Sequence, residues 1–109
     1  MEYKIILGVY TIKINILPNE DMKRIGFTDY NPKYWYYMKL LIDSISFNLT
    51  INKQTLKYKI DILDENFLQP YDYQYILSIN KNNRFAREVK MLVDEQLKWL
   101  VDVGIIIDD

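Results

Sequence analysis

The sequence predicts an α+β fold: a small antiparallel sheet built around a central hairpin (45–51/56–63), with an N-terminal strand, packed against a C-terminal amphipathic helix (84–103). Three observations carry that prediction. Ile45, Phe47, Leu49 and Ile51 alternate with Ser46, Asn48 and Thr50, and Leu56, Tyr58, Ile60 and Ile62 alternate with Lys57, Lys59 and Asp61. Side chains on a strand point to opposite faces with period two, so each run is a half-buried strand. Between them, Asn52-Lys53-Gln54-Thr55 is polar and suited to a turn. Pairing Ile51 with Leu56 sets Leu49 on Tyr58, Phe47 on Ile60 and Ile45 on Ile62, which places every large apolar residue on one face. The third observation is the spacing of Phe85, Val89, Leu92, Val93, Gln96, Leu97, Trp99, Leu100 and Val103, which recur three and four apart. Such a helix supplies the cover that a lone hairpin needs in water.

The elements follow in order along a chain of 109 residues, the length of one domain, 1–109. Residues 3–16 read as a long strand that flanks the hairpin. Its apolar phase switches from odd to even positions beside Gly8, where a β-bulge would re-aim the side chains. Pro18 suits the start and Gly26 the end of a short helix over 18–25. Residues 28–31 form a loop. Residues 32–43 fit either a helix capped by Asn31 or a strand that is apolar on both faces; the aromatic density of Tyr34-Trp35-Tyr36-Tyr37 favours the strand. Asp43-Ser44 then turns the chain into the hairpin. Residues 71–79 fit a short helix started by Pro70, or a strand by their alternating tyrosines. Asn83 is a good N-cap for the last helix, Gly104 with Ile105 fits its C-cap, and Asp94 and Lys98 stand one turn apart on its outer side. Residues 105–107 suit a short final strand.

Composition removes several kinds of chemistry. There is no cysteine and no histidine, so thiolate catalysis, Ser-His triads, imidazole ligands and Cys-ligated metals are excluded. The net charge of −1 lacks the basic excess of a general nucleic-acid binder. Glu2 and Lys13 break up the N-terminal apolar residues, which fit neither a signal peptide nor a membrane span. The expectation is a soluble, cytoplasmic protein without a membrane partner. Ile, Lys, Asn and Tyr make up 46 of the 109 residues, and their AT-rich codons suit a phage or mobile element.

Four constellations bear on function. Pro70-Tyr71-Asp72 followed by Glu88-Val89-Lys90 is similar to the PD…ExK pattern of metal-dependent nucleases, in which two carboxylates hold Mg²⁺ and a lysine polarises water. That pattern needs its Glu and Lys on a strand, and here both fall inside the helix, about 200° apart around its axis. Asp61, Asp64 and Glu65 gather oxygen ligands at a strand end but lack any EF-hand spacing. Lys57 and Lys59, or Arg84 and Arg87 on a helix-turn-helix, could meet phosphates. The strongest signal is aromatic. Tyr34, Trp35, Tyr36 and Tyr37, with Tyr71, Tyr73 and Tyr75, cannot all be buried in so small a domain, and exposed tyrosine and tryptophan favour protein interfaces. The expected function is a non-catalytic protein-interaction module, an accessory factor that binds and inhibits a host protein, with no cofactor and no metal. Self-association through a sheet edge or the aromatic patch is compatible with that reading.

Overall fold

The computed structural model describes residues 12–108. The chain runs β1 (Ile12–Ile14), α1 (Asn19–Arg24), β2 (Tyr34–Ile42), β3 (Ile45–Asn52), β4 (Tyr58–Asp64), β5 (Gln69–Pro70), α2 (Tyr73–Ile79), α3 (Arg84–Asp102) and β6 (Ile106–Asp108). Strands β2 to β5 form an antiparallel meander in sequence order, and β1 pairs with β6 in a separate two-stranded sheet. The α+β architecture expected from the alternation is present, with the central hairpin and the long helix as its two layers.

Period two in the strands divides the sheet into an inner and an outer face. Trp35 and Tyr37 of β2, Ile45, Phe47, Leu49 and Ile51 of β3, and Ile62 of β4 point inward. They share one buried cluster with Ala86, Val89, Val93, Leu97 and Leu100 of α3. Val89, Val93, Leu97 and Leu100 are the centre of the stripe that the spacing of three and four anticipates; Ala86 joins them unpredicted, and Phe85, Leu92, Gln96, Trp99 and Val103 are half-buried. Asn83 caps α3 as expected, its Oδ1 accepting from the Ala86 N–H at 3.0 Å. Both ends marked by glycine close in the same way. After α3, Gly104 (φ +89°) and Ile105 donate back to Val101 and Leu100; after α1, Gly26 (φ +109°) and Phe27 donate back to Lys23 and Met22. Each is a Schellman motif, with the buried pairs Leu100/Ile105 and Met22/Phe27 as its hydrophobic contact.

Three expectations change. The hairpin register is two residues longer than predicted: Ile51 faces Tyr58, Leu49 faces Ile60 and Phe47 faces Ile62. The turn spans 53–57 because Asn52 Oδ1 accepts from the N–H groups of Gln54 and Thr55, while Leu56 adopts a left-handed φ of +62°. A shift of two preserves the inward face, whereas a shift of one would have inverted it. The N-terminal strand does not flank the hairpin in its described part. Ile12 to Ile14 pair with Asp108 to Ile106, which turns back from the end of α3. Residues 3–11, with Gly8, lie outside the described residues. Finally, Asp94 pairs with Lys90 at 2.9 Å, one turn before itself, instead of with Lys98.

Candidate interaction surface

The aromatic run 34–37 is a strand, and its alternation settles which rings reach water. Trp35 and Tyr37 are buried, which corrects their place in the expected interaction surface. Tyr37 packs against Phe27, Phe47 and Trp99 and donates from its hydroxyl to Gln96 Oε1 at 2.8 Å. Trp35 sits beneath the Lys53 ammonium, 4.2 Å from its ring centroid. Lys53 also binds Asp29 at 2.9 Å, and the ammonium holds that carboxyl below its ordinary pKa. The pair ties the 28–33 loop to the β3–β4 turn.

Tyr34 and Tyr36 point to the outer face. Residues 28–31 carry a tyrosine that sequence reasoning passed over: Tyr30, 81% exposed, lies flat on Tyr36 with centroids 4.4 Å apart and planes 10° from parallel. The backbone fixes this stack, because Thr28 and Tyr36 exchange N–H to O=C bonds of 2.9 and 2.8 Å. Tyr34 also meets Tyr36, tilted by 44° with centroids 5.9 Å apart. The same alternation continues along β2 to Met38 and Leu40, both exposed. One strand thus presents Tyr34, Tyr36, Met38 and Leu40 in a row without a charge. Beside the row, Thr28, Tyr30, Tyr36, Met38, Asn48 and Thr50 border a cleft of about 290 Å³. Partial burial, then the neighbouring Tyr30 and Tyr34, raise the Tyr36 hydroxyl above its ordinary pKa.

The outer face ends in a polar network. Ser46 is fully buried although it points outward, because the β4–β5 turn folds over it. Its Oγ donates to Glu65 Oε2 and accepts from Asn48 Nδ2 at 2.8 Å, while Ser44 Oγ donates to Asp64 Oδ1 at 3.0 Å. Asp61 stands 3.7 Å from Lys59. The three carboxylates read as candidate cation ligands therefore serve two serines and a lysine. Among the described residues no three acidic side chains group as a metal site would require.

The second tyrosine set does not join the first. Residues Tyr73–Ile79 are a helix, started by Asp72, whose Oδ1 accepts from the Tyr75 N–H at 3.0 Å. Helical spacing breaks the apparent row: Tyr73 is buried, Tyr75 is exposed, and Tyr71 meets Phe85 edge-on at 5.6 Å. Tyr73 thus leaves the expected surface as well. Asp72 as a cap, Lys90 held by Asp94, and Glu88 beside Arg84 and Arg87 place the three nuclease-like residues in separate settings.

Burial, followed by the charge of Asp94, pushes the Tyr73 hydroxyl up to about 12. A free tyrosine titrates near ~10. Between those values the folded chain keeps a proton that the unfolded chain loses, so this contribution is fully present below pH ~10 and is lost as pH rises towards 12. Tyr73→Phe is expected to flatten the fall in stability across that window by up to ~1.4 kcal/mol per pH unit, read from urea midpoints at stepped alkaline pH. Parallel curves for the two proteins would show that Tyr73 does not titrate in this way.

The fold and surface define a small α+β domain whose sheet is covered by a helix on one face and carries the half-buried Tyr34 and Tyr36, with the exposed loop residue Tyr30 stacked on Tyr36, on the other. No family model and no curated protein matches the sequence. Among solved structures, a DUF1831 family protein from Lactobacillus plantarum is similar, with a TM-score of 0.65 over 93% of this chain and 89% of that one, at 16% identity. At that identity the likeness carries the fold alone. Among the described residues no helix is long and apolar enough to cross a membrane.

Proposed function

We propose that the chain is a non-catalytic protein-binding module that engages its partner through the outer face of β2. The observation that supports this reading is the row of Tyr30 stacked on Tyr36, with Tyr34, Met38 and Leu40 beside it, all on one uncharged strip. Tyrosines offer large contact area with few rotors to freeze, and interfaces concentrate their affinity in such anchors. The AT-rich coding composition favours an accessory role in a phage or mobile element, with inhibition of a host protein as the activity.

The experiment compares wild type with Tyr30→Ser/Tyr36→Ser as baits in a nuclease-treated lysate of the source organism or its host. Tyr30 is exposed and Tyr36 is half-buried on the outer face, away from the core cluster, so the two baits are expected to share a melting temperature within a few degrees. One stoichiometric protein held by wild type and lost by at least ~100-fold in affinity, about 2.7 kcal/mol, from the variant is the expected result. A partner that both baits hold equally would overturn the assignment of this surface. Turnover of a substrate by the purified protein would overturn the non-catalytic reading.

A further inference from the structure

The tip of the β4–β5 turn holds two large apolar side chains in water. Phe67 is 72% exposed and Leu68 81%, and Leu68 has a φ of +51°. That left-handed conformation is one glycine adopts freely and leucine does not. With so little of its surface covered, Leu68 gains little packing within the chain to offset it. Backbone strain persisting under an exposed apolar side chain is a reason to look for a use outside the chain.

The tip is acidic and firmly built. Asp64 Oδ1 accepts from the Asn66 N–H at 3.0 Å, and the Glu65 N–H donates to the Ser44 carbonyl at 2.8 Å. Among the described residues neither Asp64 nor Glu65 meets a cation.

The opposite charge lies at the start of α3. Arg84 and Arg87, with Asn82, Glu88 and Met91, line a cleft of about 540 Å³, within the size range of pockets that accept anchors and ligands. Neither guanidinium makes an ion pair or a side-chain hydrogen bond among the described residues. Met91 is exposed there and gives the cleft an apolar component. Tip and cleft also share one end of the molecule. The edge-on contact of Tyr71 with Phe85 fastens the chain just after β5 to the first turn of α3.

We infer that two copies of this chain associate about a two-fold axis at that end, with Phe67 and Leu68 of each copy seated in the Arg84/Arg87/Met91 cleft of the other. The guanidiniums then face Asp64 and Glu65. Two-fold symmetry makes the contact reciprocal and closed, so it ends at a dimer. The dimer leaves the tyrosine row of β2 out of its contact, so its failure and the failure of the proposed function are separable.

Sedimentation equilibrium of the full chain, up to about 1 mM protein, tests the inference. Wild type is expected to dimerise in about 50 mM salt and to weaken at least ~tenfold in about 1 M salt, where the screening length shrinks to a few ångströms. The tip variant Phe67→Ser/Leu68→Gly and the cleft variant Arg84→Glu/Arg87→Glu change only exposed side chains. Each is expected to be monomeric with an unchanged circular dichroism spectrum. Mixed in equal amounts they are expected to dimerise again, more weakly than wild type, because one intact tip meets one intact cleft. A wild type that stays monomeric, a variant that still dimerises alone, or a mixture that stays monomeric would each overturn the inference.

Discussion

Trp35→Ala is expected to lose about 3–5 kcal/mol of stability, a large share of the roughly 5–15 kcal/mol that folded domains possess. Trp35 is 1% exposed, faces inward from β2, and pairs across the sheet with the fully buried Ile51. Removing the indole leaves a cavity that the two covering layers cannot close without moving. It also frees Lys53 from the ring it covers, a half-exposed cation–π contact worth about 0.5–1 kcal/mol. The loss then spreads, since Lys53 also holds Asp29 and with it the loop that carries Tyr30. Urea unfolding followed by the remaining tryptophan, Trp99, measures the effect. The adjacent Tyr36→Ala, which removes an outward ring, is expected to lose far less. Equal losses from the two substitutions would contradict the division of faces.

That division was legible in the sequence because it follows from parity alone. Residues 34 to 37 alternate whichever register the strand takes, so one pair of rings had to point away from the core. The α3 helix was equally readable, with its stripe of Val89, Val93, Leu97 and Leu100, its Asn83 cap and its Gly104 terminus. Other features depend on distant contacts. The place of Tyr30 on the surface comes from the Thr28–Tyr36 bridge, which brings a loop residue onto a strand residue. The helix at 73–79 was one of two readings the sequence offered, left open because Tyr71, Tyr73 and Tyr75 imitate a strand; the deciding signal was the Asp72 cap, while Pro70 lies in β5. The pairing of β1 with β6 joins segments more than ninety residues apart, and both β1 and the hairpin edge offered apolar alternation to a partner strand. Met38 and Leu40 were recoverable, because the alternation that exposes Tyr36 continues through them.

Phe47→Ala is expected to rival Trp35→Ala, at about 3–5 kcal/mol, for a different reason. Phe47 is fully buried at the middle of β3, the strand with long neighbours on both sides. Its ring meets Tyr37 edge-on at 6.4 Å, and it lies opposite Lys39 on one side and Ile62 on the other. Lys39 is exposed, so on the β2 side nothing apolar stands directly across from Phe47, and the ring itself fills the space towards α3. A smaller residue therefore leaves a void that no residue directly across on β2 is placed to enter, with Ile62 as the one apolar residue directly opposite. Phe47→Leu keeps most of the volume and is expected to lose roughly half as much or less. Register adds a second consequence. Ile45, Phe47, Leu49 and Ile51 together penalise a one-residue slip, and removing the largest of them weakens that penalty. The variant is expected to show lower protection of the β3 amides in hydrogen exchange, beyond what its global stability predicts. Uniform loss of protection across the sheet would mean that Phe47 contributes volume alone and has no part in setting the register.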